Sequence, residues 1–82
     1  MKNWEEKDNA LHTQFEFKDF VQAIDFMNKC VSKIEKLGHH PEWSNVYNKV
    51  SIKLTTHDAG NTITKKDRKL ATEIDSVYCS FQ

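Results

Sequence analysis

Little in this chain can turn sharply or cross-link. Its 82 residues include two glycines, one proline and two cysteines. Gly38 and Gly60 are too far apart to form a glycine-rich phosphate loop. Cys30 and Cys79 have neither CxxC spacing nor a disulfide-rich context, which reads as reduced thiols in a cytoplasmic protein. No apolar run approaches the roughly 20 residues of a membrane helix, and no secretory signal is visible. An excess of either charge is also missing. Lys+Arg and Asp+Glu are 12 each, which gives no electrostatic reason to expect nucleic-acid or membrane binding. What is present, 38% hydrophobic and 29% charged residues, suits one globular domain over residues 1–82. A chain this short buries only about 60–65% of its unfolded surface, so oligomerisation is an expected source of stability.

Residues 10–17 alternate, with Leu11, Thr13, Phe15 and Phe17 on one side and His12, Gln14 and Glu16 on the other. That period of two predicts a half-buried strand. The turn signal Asp8-Asn9 makes Trp4 to Lys7 a short partner strand. Residues 18–37 change to helical period. One stripe is Phe17, Phe20, Ile24, Met27, Val31 and Ile34; a second, Ala23, Phe26, Cys30 and Leu37, lies about 100° around. Such a helix is either deeply buried or shared between its own sheet and another subunit. In the second case the first stripe faces the sheet and the second faces outward. Gly38 caps the helix in a left-handed conformation and Pro41 prevents its resumption.

Val50, Ile52 and Leu54 alternate with polar residues, and Trp43 to Tyr47 precede them, with Trp43 and Tyr47 assigned to the core. A tight turn at Asn48-Lys49 would pair Tyr47 with Val50 and Asn45 with Ile52, a tension that a bulge or longer turn would relieve. Residues 58–63 read as loop. Thr64 followed by Asp67 resembles a capping box with Asp in place of Glu. Leu70, Ala71, Ile74, Val77, Tyr78 and Phe81 then mark a helix over about 65–80. The predicted class is α+β, an antiparallel sheet with helices on one face.

Chemistry-bearing residues gather at element boundaries. Glu35 lies in the last turn of the long helix, where the dipole disfavours a carboxylate. His39 and His40 follow that end, where imidazolium is favoured. His57 follows a strand and Asp67 opens the last helix. Each has an ordinary alternative, as a solvated histidine or a helix-capping acid, and His12 is assigned to the surface. A metal site is not expected, because adjacent histidines in regular structure point apart and neither HxH nor HxxxH occurs.

The run Glu35-Lys36-x-x-His39-His40-Pro41, followed by Tyr47, His57 and Asp67, resembles the pterin-4a-carbinolamine dehydratases. His40-Pro41-Glu42-Trp43-x-Asn45-Val46-Tyr47-Asn48-Lys49-Val50 is similar to that family's core, and Leu54-x-Thr56-His57 to the end of its last strand. Phe15-x-Phe17-Lys18-Asp19-Phe20 is similar to its strand-to-helix junction, so the likeness runs from about Trp4 to Asp75. The family usually carries another helix before the position of Trp4, and Asn3 stands where a glycine is common.

The resemblance implies a four-stranded antiparallel sheet with helices on one face, here without the family's N-terminal helix. It implies dimers or tetramers, built here through helix 18–37 and sheet edges. It also implies dehydration of 4a-hydroxytetrahydropterin to quinonoid dihydropterin, in pterin recycling, with no metal or other cofactor. His39 and His57 would be general acids on opposite faces of the pterin, and His40 would hold substrate and assist proton removal. Glu35 would orient a histidine and Asp67 would support the site. Thr55, Thr56 and Trp43 would contribute to binding or support, the threonines through backbone groups. Relatives in this family also act as dimerisation cofactors of a transcription factor, so a protein-interaction module is the competing reading.

Overall fold

The computed structural model describes residues 3–81. Its elements are β1 (Glu5–Lys7), β2 (Ala10–Glu16), α1 (Phe20–Leu37), β3 (Glu42–Val46), β4 (Lys49–Leu54) and α2 (Lys65–Cys79), with a 3₁₀ turn at His57–Ala59. The four strands form one antiparallel sheet in the order β1-β2-β4-β3. The α+β class and sheet expected from the sequence are what the chain forms. Among the described residues, no helix is long and apolar enough to cross a membrane.

The period-two patterns fix the buried face. Leu11 pairs with Leu54, Thr13 with Ile52 and Phe15 with Val50, and all but Thr13 are buried. Directly paired residues share a face, so this side of the sheet carries the core, and Ala23, Phe26, Cys30 and Ile34 of α1 and Leu70, Ala71, Ile74 and Val77 of α2 join the same cluster. Asp8 and Asn9 both take positive φ, at 51° and 61°, as a tight β1–β2 turn with two left-handed corners requires. Asp19 caps α1 by accepting from the Gln22 N–H.

The expected division of α1 into an inner and an outer stripe holds only in part: Phe17 and Ile34 of the first stripe are buried as expected, but the second stripe is buried too. Ala23, Phe26 and Cys30 are fully buried. Phe20 and Val31, assigned to the inner stripe, are 48% and 46% exposed. Small Ala23 and Cys30 side chains let the helix approach its neighbours closely, and Phe26 enters an aromatic cluster, 4.8 Å from Phe17 and 5.4 Å from Phe15 between ring centroids. Phe20 and Val31 are the large residues of the first stripe left outside.

The β3–β4 hairpin also departs from expectation. Val46 pairs with Lys49, so Tyr47 and Asn48 form the turn, and Asn45 sits opposite Val50 rather than Ile52. Every partner slides by two and the faces are kept. Asn48 sets this register: its carbonyl accepts the Phe17 N–H at 2.8 Å and its amide donates to the Phe17 carbonyl at 2.9 Å. The Asn45 amide is satisfied within the turn by the carbonyls of Tyr47 and Lys49. Tyr47 is therefore not core; it is 63% exposed, with φ of 51°.

Phe26→Ala should cost about 3–5 kcal/mol of unfolding free energy, as a buried aromatic does, whereas Val31→Ala should leave it within about 0.5 kcal/mol. Denaturant titration of the two variants checks this; comparable losses would contradict the orientation of α1.

Candidate active site

The C-terminal ends of α1 and β4 and the N-terminal end of α2 meet at one edge of the fold. Gly38 closes α1 with φ of 61°, donating its N–H to Ile34 and Glu35 carbonyls. A left-handed residue is what this cap needs, and glycine takes it without a Cβ penalty. His39 and His40 follow directly. Thr55, Thr56 and His57 continue from the end of β4. Thr64 and Asp67 open α2 with the capping box the sequence suggested, here complete in both directions. The negative end of one helix dipole thus faces histidines, and the positive end of the other holds a carboxylate.

Asp67 is fully buried. Its Oδ1 lies 2.5 Å from His39 Nε2, and its Oδ2 accepts from the Thr56 hydroxyl at 2.7 Å and the Thr64 N–H at 2.9 Å. Burial pushes the carboxyl pKa up. Hydrogen bonds from His39, the Thr64 backbone and Thr56, with the His39 charge, outweigh burial and hold it below the ordinary aspartate value. An ionised carboxylate only accepts, so His39 Nε2 carries a proton and Nδ1 is the ring nitrogen left for exchange. The same rule orders the threonines. Thr56 donates to Asp67, so Thr64 must donate across the 2.8 Å contact to Thr56, and Thr64 accepts from the Lys66 N–H at 3.3 Å.

The other histidines are more open. His40 Nε2 is 2.8 Å from Glu35 Oε2, and both side chains are 67% exposed. His57 Nδ1 is 2.6 Å from Asn61 Oδ1. Gly38, His39, His40, Thr55, Thr56, His57, Asp58 and Lys66 line one pocket of about 230 Å³. The structure therefore brings together all three histidines and both threonines. Asp67 stands behind His39 and Glu35 beside His40. Trp43 is not on this pocket; it lines a shallow one of about 560 Å³ with His12, Thr13 and Lys53. The Thr56 backbone is engaged in its own loop, donating to the Thr62 carbonyl and accepting from the Ala59 and Asn61 N–H groups. The Thr55 hydroxyl donates to the Asn9 carbonyl.

Sequence reading missed Asp58, Lys66 and Asn61. Lys66 was visible only as part of a helix start, and Asn61 as a loop residue. The usable signal for Asn61 was that asparagine, after glycine, best tolerates a left-handed corner. Among the described residues no group of three or more His, Cys, Asp or Glu side chains is placed to hold a metal ion.

The family model described as pterin 4 alpha carbinolamine dehydratase matches residues 1–77. A Prochlorococcus marinus (strain MIT 9515) protein, provisionally named a pterin-4-alpha-carbinolamine dehydratase, is 49% identical over 75 residues, covering 92% of this chain and 77% of its own length. A Solibacter usitatus protein, provisionally given the same name, is 46% identical over 74 residues, covering 90% of this chain and 77% of its own. The crystal structure of a transcriptional coactivator/pterin dehydratase from Brucella melitensis superposes with a TM-score of 0.88 at 39% identity, over 94% of this chain and 83% of that one. A pterin dehydratase-like protein identified as a RuBisCO assembly factor shares the fold, with a TM-score of 0.72 at 23% identity, over 90% of this chain and 84% of that one.

The lowered Asp67 pKa has a stability consequence of definite sign. Its contribution is complete above the unfolded value of about 3.9 and is lost as pH falls through the lower folded value. Asp67→Ala should cost about 2–4 kcal/mol at neutral pH, from a lost cap and lost charge-assisted hydrogen bonds. The gap between the denaturation curves of wild type and variant should begin to narrow as pH falls below about 4 and go on narrowing at lower pH; a gap that stays constant through acid pH would refute the ionised role.

Proposed function

This chain belongs to the pterin 4 alpha carbinolamine dehydratase family, and we propose that it dehydrates a 4a-hydroxytetrahydropterin to the quinonoid dihydropterin by histidine acid–base catalysis. The observation that carries this reading is the single pocket lined by His39, His40 and His57. A carbinolamine holds a hydroxyl and a ring nitrogen on one carbon. The nitrogen lone pair forms the C=N bond as the C–O bond breaks, and the departing oxygen takes a proton and leaves as water. A ring N–H then loses its proton, so one proton is supplied and one removed. Nothing is oxidised or reduced.

Histidine is the side chain suited to both transfers near neutral pH. His39 and His57 are the proposed acids for hydroxyls on opposite pterin faces. His39 is anchored through Nε2 and acts through Nδ1. His40, beside Glu35, is the proposed holder of substrate and aid to proton removal. Lys66 adds a cation to the pocket wall. The free thiols, one buried and one exposed, support a reducing, cytoplasmic setting. Burial pushes Cys30 up to about 12, which makes it inert as a nucleophile.

Purified protein should speed the loss of 4a-hydroxytetrahydropterin above its spontaneous rate, with chelator present or absent. His39→Ala and His57→Ala should each lose one hydroxyl stereoisomer more than the other, by roughly 10²-fold or more for the affected isomer. Equal losses on both isomers would refute the division of roles, and no acceleration by wild type would refute the activity.

Self-association is the second part of this reading. The outward stripe of α1, with Phe20 and Val31 half exposed and Ile24 and Met27 between them, offers an apolar face, and twofold symmetry makes such a face self-complementary. The edge strands β1 and β3 offer unpaired backbone groups. The same stripe is the feature that favours a protein-interaction role beside catalysis. Val31→Glu should shift wild-type oligomers to smaller species in sedimentation while circular dichroism is retained. Monomeric wild type at high concentration would end the proposal.

A further inference from the structure

Asn61 lies four residues after His57, beyond the 3₁₀ turn. It holds φ of 58°, a left-handed conformation that few non-glycine residues take and asparagine takes best. Its side chain returns to the histidine, with Oδ1 2.6 Å from Nδ1. Its backbone N–H is fixed at the same time by the Thr56 carbonyl at 3.1 Å. The loop therefore presents the amide oxygen from a pinned backbone position. An amide oxygen only accepts, so His57 Nδ1 must carry hydrogen in both the neutral and the protonated ring.

We propose that Asn61 is a positioning residue for His57, fixing its tautomer so that Nε2 is the nitrogen that exchanges protons. The inference rests on the proposed role of His57 as a general acid and deepens it. His57 forms part of two adjoining walls, the histidine pocket and a groove of about 330 Å³ shared with Asn61, Thr55, Lys53, Glu42, Ala10 and Asp8. With Nδ1 occupied on the groove side by Asn61, the ring has one free nitrogen for substrate. Each histidine of the pocket then follows one plan, in which an oxygen of Asp67, Glu35 or Asn61 occupies one ring nitrogen and leaves the other. Asn61 is the neutral member of the set. It orients its ring without adding a negative charge beside it.

Two substitutions separate this role from a purely structural one. Asn61→Gly accepts the left-handed backbone and removes the amide; Asn61→Asp keeps shape and acceptor and adds charge. Long-range ¹H–¹⁵N imidazole spectra of the full chain report the His57 tautomer without any need for activity. Wild type should show hydrogen on Nδ1, Asn61→Gly should lose that preference, and Asn61→Asp should keep it. On pterin, Asn61→Gly should slow the His57-dependent isomer by roughly 2- to 10-fold, the worth of one hydrogen bond, and leave the other unchanged. In Asn61→Asp the added carboxylate favours imidazolium, so the alkaline fall in rate for that isomer should move to higher pH. A wild-type spectrum with hydrogen on Nε2, or one that Asn61→Gly does not alter, would overturn the proposal. If the wild-type chain fails to dehydrate pterin, the proposed function fails, while the spectra still decide the role of Asn61.

Discussion

The buried carboxylate of Asp67 is the interaction on which the rest depends. Moving a carboxylate out of water costs several kcal/mol unless hydrogen bonds replace the lost hydration. Here the replacements come from three separate places in the chain: His39 after α1, Thr56 after β4, and Thr64 at the start of α2. None of these segments can move without leaving the charge short of a partner. A single side chain therefore starts a helix, ties it to the sheet and holds a histidine at the pocket. Charge-assisted hydrogen bonds suit this purpose because they are stronger and more directional than neutral ones. The positive end of the α2 dipole acts in the same sense, favouring the ionised form of Asp67.

Much of this was legible in the sequence because it is local. The strand alternation of Leu11 to Phe17, the Gly38 stop and the Thr64–Asp67 box depend on neighbours a few residues away, and each is where the pattern placed it. The failures are long-range. Burial of the second stripe of α1 depends on how closely α2 and the sheet approach, and Ala23 and Cys30 permit that approach because they are small. A count of large side chains points the other way. The hairpin slid because Asn48 bonds to Phe17, 31 positions away, a contact that no turn propensity contains. For the site, the spacing of His39, His40, His57 and Asp67 located the cluster. It could not show that Asp67 sits behind one histidine rather than in the pocket.

The three histidines of the pocket differ in their supports, and His39 is less exposed than His40 and His57. The His39 side chain is 12% exposed and pairs with a carboxylate that is fully buried. His40 and Glu35 meet in solvent, where such a pair contributes little to stability and is screened by salt. His57 stands on a loop and leans on an amide. Only at His39 does the bond that holds the ring also satisfy a buried carboxylate of the fold.

That distribution constrains how the site can vary. A change at Asp67 alters the helix start, the β4 end and the support of His39 together. His57 and Asn61 lie in a loop whose fixed points are backbone bonds, the Thr56–Thr62 bridge and the Asn61 N–H. Their side chains contribute nothing to the core cluster. The pocket thus has one wall built into the fold and one hung on a loop outside the core.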